Sequence, residues 1–176
     1  IIKQSAASKE LLSHEGVVEV FENLEDLANR IDSDDLNVTK DSILLLKNIG
    51  PIGAPGMPEA GLIPIPKKLA KQGVKDMVRI SDGRMSGTAA GTIILHVCPE
   101  AADGGTLDIV ESGDIIKLDV KQRLLELKLS DEEIANRKKS KKSNTEIKRR
   151  GYDKIFHESV LQADKGADFD FLRPVK

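Results

Sequence analysis

Between residues 48 and 66 the sequence holds five of the chain's seven prolines, at 51, 55, 58, 64 and 66, and four glycines, at 50, 53, 56 and 61. Prolines fix φ and remove a donor, and glycines admit conformations closed to other residues. No helix or strand tolerates that density, so the segment is a shaped loop around which the remaining elements must be arranged. Immediately before it, Ser42-Ile-Leu-Leu-Leu-Lys47 is short and uniformly apolar, which suits a strand covered on both faces better than a helix.

The rest of the chain reads as alternating short elements. Gly16–Phe21 is apolar and β-branched and predicts a strand; Asn23 then stands at an N-cap position. Leu24, Leu27, Ala28 and Ile31 follow at helical spacing, with Glu25 and Asp26 in the first turn. A short helix is predicted over Lys67–Gln72, stopped at Gly73, and strands over Asp76–Ile80 and Thr92–Val97. Leu107–Val110 and Asp114–Val120 read as strands joined around Ser112-Gly113, and Arg123–Leu129 as a third member of that meander. Ser130-Asp-Glu-Glu133 is a capping-box-like helix start. That helix runs into Lys138, Lys139, Lys141 and Lys142, which read as a solvated face. The pattern to Lys176 is then helical and afterwards loose. About seven strands with few helices predict a compact, β-rich α+β domain.

Composition narrows the function classes. The 27 Lys and Arg against 29 Asp and Glu give a net charge of −2 over 176 residues, which removes the main argument for a nucleic-acid partner. The single cysteine, Cys98, excludes an internal disulfide and any zinc or cluster site built from this chain's thiolates alone. No apolar run approaches the roughly 18 residues that span a bilayer, and a lone thiol without an export signal favours the cytosol. The chain begins at Ile1 rather than Met, so it was processed or belongs to something larger.

Two loops could carry chemistry. In Gly50-Pro-Ile-Gly-Ala-Pro-Gly-Met-Pro-Glu59, Glu59 is the only ionisable side chain between Lys47 and Lys67. A lone carboxylate on a stiff loop suits a metal ligand or an acid/base; the alternative is a turn whose Glu faces water. In Ser81-Asp-Gly-Arg-Met-Ser-Gly-Thr-Ala-Ala-Gly91, small residues bring N–H groups and hydroxyls toward whatever sits there. Such a nest favours an anionic group, more so if a helix begins near Ser86; the alternative is a glycine-rich turn that only packs. The segment lacks both the P-loop and the nucleophile-elbow spacing. A reactive serine here needs an activator, and Arg84, His96 or a bound metal are the candidates. His96, set in an apolar strand, reads as a satisfied core histidine, and Cys98 as a small buried hydrophobe.

These loops, Gly50–Glu59 followed by Arg79–Gly91, resemble the IlvD/EDD family of dihydroxy-acid, phosphogluconate and sugar-acid dehydratases. The likeness continues through Leu95-His-Val-Cys-Pro-Glu-Ala-Ala-Asp-Gly-Gly105 and Ser112–Val120. Arg150–Lys154 and Leu161-Gln-Ala-Asp-Lys-Gly-Ala-Asp-Phe-Asp-Phe171 are similar to the pentonate (arabinonate/xylonate) branch. Met85, where branched-chain enzymes more often carry Phe, agrees with that branch, and Thr106, where Pro commonly stands, is a departure.

The resemblance implies a hydro-lyase that converts a 2,3-dihydroxy acid to a 2-keto acid using an iron–sulfur cluster and magnesium. Glu59 matches a magnesium ligand, Ser86 the base on the C2 proton, and Thr88 a hydroxyl that helps place the substrate. The cluster's cysteines, the other magnesium carboxylates and a modified lysine would lie in an amino-terminal domain, since Cys98 falls in the wrong motif. The implied fold is the swivelling β/β/α domain of the aconitase group. Residues 1–176 would be the carboxy-terminal domain, with 138–176 its helical and irregular tail. It would be inactive alone, partnered by the amino-terminal domain and homo-oligomeric in the full-length enzyme. A branched-chain dihydroxy-acid dehydratase domain, a non-catalytic binding module of the same fold, and an unrelated anion-binding domain are the alternatives.

Overall fold

The computed structural model describes residues 1–141 and 150–173. Six strands form one mixed sheet in the order β4-β3-β2-β1-β5-β6. They are β1 (Ser13–Phe21), β2 (Ile43–Leu46), β3 (Arg79–Ser81), β4 (Ile93–Ile94), β5 (Ile115–Asp119) and β6 (Leu124–Leu127). The first four run parallel, with Val18 opposite Ile43, Leu45 opposite Ile80 and Ile80 opposite Ile94. β5 and β6 are added antiparallel beside β1. Among the described residues, four α-helices complete the α+β architecture: α1 (Leu24–Arg30), α2 (Lys67–Lys71), α3 (Asp131–Ser140) and α4 (Gly151–Ser159).

The apolar run of β2 is the centre of the molecule. Ile43 through Leu46 have no solvent exposure, because alternate side chains enter two separate cores. Ile43 and Leu45 pack with Val18, Val20, Ile80 and Leu107 on one face. Leu44 and Leu46 pack with Phe21, Leu27 and Leu69 on the other, where α1 and α2 lie. Two predicted caps form as read: Asn23 Oδ1 accepts the Asp26 N–H at 2.9 Å, and Ser130 Oγ accepts the Glu133 N–H at 3.1 Å.

The strand expected over Leu107–Val110 does not form. Thr106–Ile109 form a 3₁₀ turn, and the carbonyls of Asp108 and Val110 accept hydrogen bonds from the buried Lys47 ammonium at 3.1 and 2.7 Å. Leu107, Ile109 and Val110 are apolar because they are buried, not because they pair. The strand expected over Thr92–Val97 stops at Ile94. His96 lies beyond it at φ +53°, half-buried, so it is a loop residue rather than a core strand histidine. Cys98 is likewise half-buried. Lys138 and Lys139 are exposed on α3 as expected, Lys141 pairs with Asp108 at 2.5 Å, and Lys142 lies outside the described residues. Residues 142–149 and 174–176 of the tail also lie outside them. Among the described residues, no helix is long and apolar enough to cross a membrane.

Asp76 ties the sheet edge to the loops. It accepts the Ser8 N–H, the Thr92 N–H and the Thr92 hydroxyl, and pairs with Arg79 at 2.8 Å. Burial pushes its carboxyl upward, but the bonds from Thr92 and Ser8 and the Arg79 charge prevail and hold it at about 2. A carboxylate with a depressed pKa stabilises the fold above its ordinary value, and that stability is lost as pH falls through the folded value. Asp76→Asn is therefore expected to cost about 2 kcal/mol at pH 7. The difference from the parent chain should shrink between pH 4 and 2; urea denaturation of both proteins across that range checks it.

Candidate active site

All four parallel strands deliver their carboxyl ends to one edge of the sheet, where ligands bind in open sheets of this kind. The loops that leave those ends are hydrogen-bonded to each other. Asn48, after β2, donates from Nδ2 to the Glu22 carbonyl after β1 at 2.9 Å. Its own N–H and that of Ile49 reach the Asp82 carboxylate after β3 at 3.1 and 3.0 Å. His96, after β4, donates its N–H to Gly83 at 3.0 Å.

The two loops singled out in the sequence meet at Arg84. Its Nε donates to the Met57 carbonyl at 2.6 Å, its Nη1 to Glu59 Oε1 at 2.9 Å, and its carbonyl accepts the Gly61 N–H at 2.7 Å. The Arg84–Glu59 pair is about half exposed on both sides, so it contributes little to stability, about 0–1 kcal/mol. Its consequence is geometric: the guanidinium orients the carboxylate and takes only one of its oxygens. Ser86 and Thr88 follow on the same loop, and their hydroxyl oxygens are 3.1 Å apart in hydrogen-bond contact. Lys3 Nζ donates to the Gly87 carbonyl between them at 2.8 Å.

Of the three activators considered for the serine, Arg84 is turned toward Met57 and Glu59, and the hydroxyl hydrogen-bonded to Ser86 is that of Thr88. His96 has its pKa lowered, by burial first and also by the Arg84 charge. No helix begins at Ser86; the Ala89 N–H closes a turn onto its carbonyl at 3.1 Å. The anion-attracting helix end entertained for that position is therefore replaced by a tight turn.

A family model described as dihydroxy-acid/6-phosphogluconate dehydratase, C-terminal, matches residues 1–167. The chain belongs to that family. A Rhizobium meliloti protein named as dehydratase IlvD1 is 56% identical over 98% of this chain. An L-arabinonate dehydratase of Rhizobium leguminosarum is 48% identical and a 6-deoxy-6-sulfo-D-gluconate dehydratase of Pseudomonas putida 47% identical, over the same share. Four dihydroxy-acid dehydratases are 35% to 39% identical. The chain spans about 30% of the length of these curated relatives.

The candidate donors that the two loops carry are all oxygens: Glu59, Ser86 and Thr88. That is a hard donor set, suited to magnesium. It is one carboxylate rather than a complete site, since among the described residues no three His, Cys, Asp or Glu could hold a metal together. Cys98, the chain's single thiol, does not fit an iron–sulfur cluster, which needs several such ligands.

Sequence reasoning missed two supporting carboxylates. Asp82 and Glu100 have no solvent exposure. Asp82 also accepts the Ala101 N–H at 3.0 Å, and Glu100 accepts those of Ile52 and Gly53, both at 2.8 Å. Burial pushes both carboxyls upward against these bonds. Their only local signal is an acidic residue inside an otherwise small or apolar stretch.

Gly61 is required where the loops touch, because a Cβ there would lie 2.5 Å from Leu95 Cδ2 and 2.8 Å from the Arg84 carbonyl oxygen. Gly61→Ala is expected to destabilise the domain by about 1–3 kcal/mol and to speed proteolysis within residues 50–61. Urea denaturation and limited digestion read the two effects.

Proposed function

We propose that this chain is the carboxy-terminal part of a hydro-lyase that dehydrates a 2,3-dihydroxy acid, specifically a sugar acid, to a 2-keto-3-deoxy acid. Loss of the C2 proton and the C3 hydroxyl as water leaves an enol, which becomes the keto acid. The observation that carries this reading is the junction of the two loops: Arg84 orients Glu59 while Ser86 and Thr88 stand on the same loop as Arg84.

Ser86 Oγ is the base that receives the C2 proton. Thr88 supports it, because a hydroxyl that donates to Ser86 Oγ stabilises negative charge developing on that oxygen. Glu59, held by Arg84 through one oxygen, keeps a second for a cation shared with carboxylates from outside this chain. Bound magnesium would supply positive charge beside the acidic end of the substrate. Cluster ligands would also come from outside this chain. The half-built donor set supports a second element of the reading: the isolated chain does not turn over substrate.

The higher identity to the sugar-acid enzymes than to the dihydroxy-acid dehydratases supports a sugar acid as the substrate class. In the full-length protein, Ser86→Ala and Glu59→Gln should each lower dehydration at least about 10²-fold while leaving cluster absorbance intact. Near-normal turnover by Ser86→Ala would remove the base assignment.

A substrate panel separates the enzyme classes. Pentonates should be dehydrated in preference to branched-chain 2,3-dihydroxy acids, and the reverse preference would assign the chain to the branched-chain enzymes. Tight, magnesium-dependent binding of either acid by the 176-residue chain alone would favour the binding-module alternative.

A further inference from the structure

The carboxy-terminal residues reach back to the Glu59 loop through a buried carboxylate that the proposed reaction does not use. Glu100 Oε1 accepts the Ile52 N–H and Oε2 accepts the Gly53 N–H. Backbone and carboxylate are in close packing there, since a Cβ on Gly50 would lie 2.5 Å from Glu100 Oε2. A carboxylate without solvent exposure needs further partners for its lone pairs, and Gln162 provides one. Gln162 Nε2 donates to Glu100 Oε1 at 2.9 Å, while Gln162 Oε1 accepts the Glu100 main-chain N–H at 2.8 Å. Both ends of the Gln162 amide therefore grip the same residue, 62 positions away in sequence.

Gln162 is itself well fixed. Its carbonyl accepts the N–H groups of Lys165 and Ala167 at 2.9 and 3.1 Å, and the Leu161 N–H reaches Asp168 at 2.8 Å. Val160 and Phe169 pair as an antiparallel bridge that closes the hairpin. Phe169 meets Phe156 of α4 edge-on at 5.7 Å and stacks on Phe171 at 5.4 Å. Three of the chain's four phenylalanines thus anchor this one hairpin. On the loop that presents Glu59, Arg84 grips the far limb at Met57 and Glu59, and Glu100 grips the near limb at Ile52 and Gly53.

We propose that Glu100 is a positioning residue for Glu59 and that Gln162 is the latch that holds it. The hairpin 160–169 then belongs to the working site without touching the reacting atoms. The proposal rests on the roles given above to Glu59 and Ser86.

The test uses the full-length protein with Gln162→Ala and Gln162→Glu. The second variant is nearly isosteric: it keeps an acceptor for the Glu100 N–H and replaces the donor to Glu100 Oε1 with an oxygen. Both variants are expected to speed amide hydrogen exchange at Ile52 and Gly53 about tenfold. Both should lower kcat about 10–100-fold, with KM changed less than about twofold because the substrate's own contacts are retained. Wild-type exchange or wild-type kcat in Gln162→Glu overturns the proposal, as does acceleration spread evenly over the whole domain. Should Gln162→Ala fail to fold, Gln162→Glu and the volume-conserving Glu100→Gln carry the same readouts. Exchange is read without turnover, so the two layers separate. Unchanged exchange overturns the latch, whereas normal turnover by Glu59→Gln overturns the role on which it rests.

Discussion

Asp82 and Glu100 are carboxylates with no solvent exposure that accept five backbone N–H groups between them. Burying such a group is costly unless its oxygens are well supplied with donors. Four of those five donors belong to residues 48, 49, 52 and 53, at the entry of the proline- and glycine-rich loop. With Pro51 lacking an N–H, few donors of that stretch remain to be satisfied elsewhere. Each side solves the other's problem: the loop has no ladder to join, and the carboxylates have no water. Removing either acid would leave buried donors unmatched, at about 1–3 kcal/mol per group.

The same dependence extends to the edge of the sheet. Because β1 to β4 are parallel, every loop at their carboxyl ends emerges on one side, and the Glu59 and Ser86 loops have to meet there. Among the described residues, four of the six non-glycine residues with positive φ lie in these loops: Asn48, Met57, Ile63 and His96. Ile63, β-branched and at φ +45°, is an unusual occupant of that region. It persists because Arg79 Nη1 takes the carbonyls of Leu62 and Ile63 at 2.9 and 3.1 Å. Backbone strain of this kind is sustained only where surrounding contacts over-determine it, and it gathers at functional sites.

Local signals were reliable where a residue and its neighbours settle the matter. The caps at Asn23 and Ser130 depend on a side chain reaching three residues forward, so they read directly from the sequence. The doubly buried β2 was readable because only a strand packed on both faces uses Ile-Leu-Leu-Leu without alternation. Leu107–Val110 misled for a related reason: apolar content reports burial, and burial does not require pairing. What turned that segment away from the sheet was Lys47, which fills the acceptors of Asp108 and Val110 from more than sixty residues upstream. His96 misled because the apolar run around it continues past the point where the strand ends.

From the sequence alone one could determine that residues 48–66 form a rigid loop, that it offers a single carboxylate at Glu59, and that a second small-residue loop offers the hydroxyls of Ser86 and Thr88. Those conclusions follow from proline and glycine geometry and from which side chains can ionise, both of which are local properties. Only the tertiary structure decided that Arg84 joins the two loops, that Asp82 and Glu100 hold the first, and that Gln162 holds Glu100. Such side-chain contacts link residues 25 to 62 positions apart, and a hydrogen bond between distant residues leaves no periodicity or spacing in the chain that makes it.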